Sequence, residues 1–146
     1  MSQTNDHSSL LHNHIAAIRT DYKHLTLNET DVDGDPFNQF DRWWQQAINS
    51  HLEEVNAMTL ATASPEGIPD ARIVLLKNIT SEGFVFFTNY DSAKGRQLTA
   101  NPHAALVFFW KDLERQVRIK GIVHKASAAE SDLYFGSRPA GSRIGA

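Results

Sequence analysis

In the stretch "DARIVLLKNITSEGFVFFTNYDSAKGRQL" (70–98), whose apolar runs look like buried strands, Arg72 and Lys77 bound the first run and Lys94 follows the second. An unpaired cation buried in a strand is costly. Each must therefore lie at an exposed strand end or meet an anion there. Side chains alternate faces along a strand, so Arg72, an even position, and Lys77, an odd one, point to opposite faces. One anion need not satisfy both. The economical functional reading is two anionic groups, one near each end of the strand. Lys94 joins one of them from the first turn of a short helix, where free backbone N–H groups and a favourable dipole suit a phosphate. Thr88 and Ser92 add hydroxyl donors nearby. The plainer alternative is that Arg72 and Lys77 cap strand ends and reach out to water.

A second cluster lies near the C-terminus, where Tyr134, Arg138 and Ser142 stand four apart. On a continuing helix, positions i and i+4 share a face, so Tyr134 and Arg138 could grip one anion together. Pro139 and Gly141 argue against the helix reaching Ser142. The alternative is an ordinary helix terminus with Arg138 near its C-terminal dipole.

The elements that must position these residues follow from the pattern. "LLHNHIAAIRTDY" has apolar residues at 11, 15 and 18, which suits a short helix, and residues 23–35 read as a polar, acidic linker. The tail and linker together make an N-terminal segment, 1–35, ahead of a domain over 36–146. Asp35-Pro36 is a helix start, with Asp as N-cap and Pro at the first helical position. Phe37, Phe40, Trp44, Ala47 and Ile48 then form one apolar helical face ending near His51.

After this the period changes. "AMTLATA" (57–63), the turn "SPEGIP" and "ARIVLLK" (71–77) read as a β-hairpin. "ITSEG" reads as a turn into a strand, "FVFFTNY" (84–90). A short helix opens at "DSAKGRQL", capped by Asp91 or Ser92, and stops at Asn101-Pro102. "AALVFFW" (104–110), the turn "KDLE" and "RQVRIKGIVHK" (115–125) complete the strands, and the last alternates apolar with Gln116, Arg118 and Lys120. "SAAE" (127–130) is a capping box for a helix to about Phe135. The fold class expected is mainly β with flanking helices: five or so mostly antiparallel strands, with short turns that favour an antiparallel barrel over a doubly wound sheet.

Composition narrows the chemistry. The 146 residues suffice for one domain with a real core, and 14 Lys plus Arg against 17 Asp plus Glu give a net charge of −3. That argues against bulk nucleic-acid or anionic-membrane binding. Without cysteine there is neither a disulfide framework nor a thiolate metal site. The N-terminus lacks a basic segment followed by an apolar run, and no stretch approaches the ~20 apolar residues of a membrane span. A cytoplasmic protein is expected. The dinucleotide-binding, P-loop, zinc-protease and nucleophile-elbow motifs are all missing. The seven histidines are scattered, and Asp31, Asp33 and Asp35 lack the closing glutamate of a calcium loop, so no metal site is assigned.

In this order, "RIVLLK", "FVFFTNYDSAKGRQL", "LERQVRIKG" and "YFGSRPAGSRIGA" closely resemble the pyridoxine/pyridoxamine 5′-phosphate oxidase family, and "RTDY" (19–22) and "DPFNQFDRWW" (35–44) fit the same pattern. The resemblance covers residues from about 15 to the C-terminus. It implies an FMN-binding split β-barrel and a homodimer with FMN at the subunit interface. It implies that Arg72 and Lys94 contact the FMN phosphate. Ile73, Val74, Leu75, Leu76 and Lys77, with Phe87 and Thr88, would line the flavin, and Gln116 would reach FMN across the dimer. Lys77, Tyr134, Arg138 and Ser142 would bind the substrate phosphate, and Arg19 and Tyr22 would belong to a segment that folds over the substrate.

The implied reaction is oxidation of pyridoxamine or pyridoxine 5′-phosphate to pyridoxal 5′-phosphate with dioxygen as acceptor, a step of vitamin B6 metabolism. No side chain is assigned as a general base. Two departures from the family pattern stand out. Ala93 occupies a position where many members have Arg, and the chain stops at "SRIGA". The family continues there with a Trp and an Arg for FMN and an Arg–x–His pair for the substrate, so the chain reads as a fragment or a truncated version. The alternatives are another split-barrel flavin reductase, or a non-catalytic module binding FMN or pyridoxal phosphate.

Overall fold

The computed structural model describes residues 14–22, 26–88 and 92–126. The chain divides into two units, Met1–Val32 and Asp33–Ala146. In the first, residues 14–17 form a single helical turn, and a 3₁₀ turn spans Glu29–Asp31.

The second unit opens with helix α1, Pro36–Asn49. Asp35 is extended, and its carboxylate accepts the Phe37 N–H at 2.9 Å, satisfying a donor that the helix leaves free at its start. Asp33 braces the same entry, accepting from the Asp35 N–H at 2.8 Å and from Arg42 Nη2 at 2.6 Å. Those bonds, the Asp35 N–H foremost, hold the Asp33 carboxyl below its usual range. Asp35→Ala is expected to destabilise the unit by about 1 kcal/mol, read as a lower urea midpoint at unchanged slope.

Four antiparallel strands form one sheet in the order β2-β1-β5-β6: β1 Ala57–Ala63, β2 Pro69–Leu75, β5 His103–Trp110 and β6 Arg115–Ile122. A separate hairpin pairs β3, Asn78–Thr80, with β4, Gly83–Val85. The β1–β2 turn takes Gly67 at φ +85°, a conformation costly for residues with a Cβ. The short strand β3 lies where a plain turn was expected, and β4 is shorter than the expected 84–90. Three residues are too few to show a period of two, and the ladder ends at the Asn78–Val85 pair. The expected helix over 127–135 lies outside the described residues.

Alternation decides the two faces of the sheet. Met58, Leu60, Thr62, Val74, Leu106, Phe108 and Trp110 are buried on the inner face. There they meet α1 through an aromatic cluster. Phe40 lies 4.9 Å from Phe84, 5.4 Å from Phe108 and 5.9 Å from Trp110, ring centre to ring centre. Trp110 Nε1 donates to the Val55 carbonyl at 3.0 Å, so the buried indole is satisfied. The outer face carries Ile73, Leu75 and Phe109, at 66%, 39% and 59% exposure. Helix α2, Ala93–Ala100, starts at Ser92, whose hydroxyl accepts the Gly95 N–H at 3.1 Å. Among the described residues no helix is long and apolar enough to cross a membrane.

Candidate functional site

The two strand cations do separate. Arg72 is half-buried on the inner side of β2, whereas Lys77 is exposed beyond the strand end. The Lys77 N–H donates to the Val85 carbonyl at 2.8 Å, which ties the end of β2 to β4 and holds this residue in place.

Arg72 sits in a polar network that bridges three elements. Its Nη1 donates to Thr62 Oγ1 at 2.7 Å and to the Leu60 carbonyl at 3.3 Å. Its Nη2 donates to Gln97 Oε1 at 2.7 Å and pairs with Asp70 Oδ2 at 3.0 Å. Gln97 Oε1 also accepts from Thr62 Oγ1 at 2.8 Å, and Gln97 Nε2 donates to Asp70 Oδ2 at 3.2 Å. Gln97, the Ala71 N–H and Arg72 together hold the Asp70 carboxyl below its usual range. The strand spacing places Asp70 and Arg72 on one face, two residues apart. The β1–β2 register sets Thr62 opposite Asp70, and Leu60 opposite Arg72.

Lys94 stands half-buried in the first turn of α2. Burial, with the Arg72 charge added to it, pulls its ammonium below the ordinary lysine range. Two like charges brought together and partly dried form a site that favours an anion. Ala93, beside Lys94, is exposed and offers only its backbone. Thr88 adds a second signal: its Oγ1 is buried with no hydrogen-bond partner among the described residues. A buried hydroxyl left unpaired is costly.

The remaining expected positions are distributed as follows. The Val74 and Leu76 side chains pack in the core, so only their backbone could face a ligand. Ile73 and Leu75 lie on the outer face with Gln116, which pairs across β5–β6 with Phe109. Phe87 and Thr88 border a cavity of about 670 Å³ enclosed by Leu60, Phe84, Leu98 and Ile119. Arg72, Lys77, Lys94 and Gln116 do not line it, so this cavity is not the cation site. Arg19 and Tyr22 are exposed residues of the first unit. Tyr134, Arg138 and Ser142 lie outside the described residues. Among the described residues no group of three or more His, Cys, Asp or Glu could hold a metal ion.

The sequence reading missed Thr62, Asp70 and Gln97. Asp70 was discoverable from the period of two alone, whereas Thr62 and Gln97 reach Arg72 through pairing and packing.

The sequence profile described as pyridoxamine 5′-phosphate oxidase matches residues 44–146. The chain belongs to the pyridoxamine 5′-phosphate oxidase family. It is 61% identical over 132 residues to pyridoxine/pyridoxamine 5′-phosphate oxidase 1 of Ralstonia nicotianae, covering 90% of this chain and 62% of that protein. It is 59% identical, with the same coverage, to the enzyme of Trichormus variabilis. The chain thus spans about 62% of the length of these oxidases. Among solved structures it is similar to PhzG from Burkholderia lata, bound there to tetrahydrophenazine-1-carboxylic acid. That match has a TM-score of 0.74 and 28% identity, covering 79% of this chain and 57% of PhzG. It also resembles a pyridoxamine 5′-phosphate oxidase-related, FMN-binding protein from Nostoc punctiforme. There the TM-score is 0.61 and the identity 18%, covering 77% of this chain and 63% of the other. The fold is that of the family, an antiparallel FMN-binding split barrel.

Proposed function

We propose that this chain carries the phosphate-binding part of an FMN-dependent oxidase that converts pyridoxamine or pyridoxine 5′-phosphate to pyridoxal 5′-phosphate. The observation that carries this reading is the 61% identity to such an oxidase over 90% of the chain, with Arg72 and Lys94 juxtaposed in the structure. The residues present fit the cofactor. Arg72 and Lys94 form a cationic site beside the start of α2, and Thr88 offers a buried hydroxyl with no partner among the described residues. These residues would hold the FMN phosphate and one polar edge of the cofactor. Bound FMN supplies the hydride-accepting chemistry that no side chain provides.

Lys77, beyond the end of β2, would hold the substrate phosphate with Tyr134, Arg138 and Ser142, and Arg19 and Tyr22 would cover the substrate. The protein's task is then to fix two phosphates and stack one ring on the other. The alcohol substrate and dioxygen give the aldehyde and hydrogen peroxide. The amine additionally consumes water and releases ammonia.

The outer face of the sheet supports a homodimer. Ile73, Leu75 and Phe109 form an exposed apolar surface on which Gln116 also lies. A second copy laid on this surface buries it and brings the partner's Gln116 toward a shared site.

The test is an absorbance spectrum of the chain with FMN, followed by pyridoxine 5′-phosphate under air. Bound flavin with appearance of the aldehyde is expected. Bound flavin without turnover would favour a binding module, and absence of flavin binding would overturn the reading.

A further inference from the structure

Arg72 is surrounded by acceptors, which raises the question of how a ligand phosphate reaches it. A guanidinium has five N–H groups. The four on the two Nη atoms face Leu60, Thr62, Gln97 and Asp70. These partners are not equivalent. The Leu60 carbonyl belongs to the β1 backbone, Thr62 is buried, and Gln97 is half-buried on α2. All three are neutral and fixed by the sheet or by the helix. Asp70 is charged, and its side chain is 51% exposed. Of the four partners it alone can turn to water, exchanging its pair with Arg72 and its bond from Gln97 Nε2 for solvent while the others stay fixed.

We propose that Thr62 and Gln97 are the positioning residues that present Arg72 to a phosphate, and that Asp70 is the exchangeable counter-anion a phosphate replaces. The inference rests on the reading of Arg72 as a ligand to the FMN phosphate. Three features carry it. First, Gln97 Oε1 receives both Arg72 and Thr62, at 2.7 and 2.8 Å, so one side-chain oxygen locks the guanidinium to β1 and α2 together. Second, Lys94 is one helical turn before Gln97, so the same helix that orients Arg72 delivers the second cation. Third, Asp70 is the only anion among the four Nη partners, and it lies on the exposed side of the network. A dianionic phosphate entering beside Lys94 competes directly with it. Departure of Asp70 leaves the other three bonds to Arg72 in place, so the site opens without losing its geometry.

The experiment compares FMN with riboflavin, which lacks the phosphate, by flavin-fluorescence titration of the full chain. The readout is the ratio of the two affinities, which a general loss of packing would not change selectively. Gln97→Leu should lower the FMN-over-riboflavin preference by about tenfold or more, because Arg72 loses its anchor. Asp70→Asn, at a half-exposed position that tolerates substitution, should raise the preference severalfold by removing the competing charge. That second variant decides the matter if Gln97→Leu fails to fold. A wild-type preference for FMN that Asp70→Asn leaves unchanged or lowers overturns this inference alone. A wild-type chain that binds both flavins equally, or neither, overturns the phosphate reading itself and this inference with it.

Discussion

Phe108→Ala is expected to destabilise the second unit by about 3–5 kcal/mol, the usual cost of removing a fully buried aromatic ring. Phe108 is completely inaccessible and is, among the described residues, the largest side chain so placed. It sits in β5, between β1 and β6, and touches rings on two elements: Phe40 at 5.4 Å and Trp110 at 5.6 Å. Truncation removes contacts to α1 and to the sheet at once, and close packing leaves a cavity that neighbours fill only in part. Set against a typical total stability of about 5–15 kcal/mol, the loss is large. Urea unfolding followed by tryptophan fluorescence measures it. Phe109→Ala is the internal control, because the next residue along the strand points outward at 59% exposure. Its cost in the monomer should be small, with any larger effect confined to self-association. Equal losses at both positions would show that the assignment of the two sheet faces is wrong.

The second large effect is at Arg72. Arg72→Met should weaken FMN binding by about 2–5 kcal/mol while riboflavin binding changes much less. The fold should survive, since Thr62 keeps its bond to Gln97 and the half-exposed Asp70 can turn to water. Fluorescence titration of the variant with both flavins tests this, and an equal loss for the two would remove Arg72 from the phosphate site. Lys94 adds a pH signature to the same measurement. Its folded-state pKa is depressed, first by burial and then by Arg72, so the proton leaves below the ordinary lysine value of 10.5. A phosphate prefers the protonated form. FMN affinity should therefore fall as pH rises through the depressed pKa, below 10.5. Lys94→Arg, which stays charged, should flatten that fall.

Much of this architecture is legible in the chain. Asp35-Pro36 and the apolar spacing from Phe37 to Ile48 place α1, because capping and a 3.6-residue period are local properties. The stretch "AMTLATA" coincides with β1, and β6 takes the first eight residues of the strand expected over 115–125, because one buried face imposes a period of two. The same period puts Arg72 and Lys77 on opposite faces of a regular strand. Local rules failed at β3, a three-residue strand whose existence depends on its partner β4 rather than on its own pattern.

The candidate site divides along the same line. Residue types and order alone determined that a short helix bearing Lys94 opens at Asp91 or Ser92, and that the set resembles a phosphate-binding oxidase; the strand expected over 71–77 instead runs Pro69–Leu75, mostly exposed, with Arg72 at its middle and Lys77 beyond its end. Tertiary structure alone decided what Arg72 touches. Thr62 arrives through the β1–β2 register, and Gln97, 25 positions away in sequence, arrives only when α2 packs against the sheet. A period reports which face a side chain occupies. It carries no information about which distant element lies on that face, because that choice is made by the packing of the whole core.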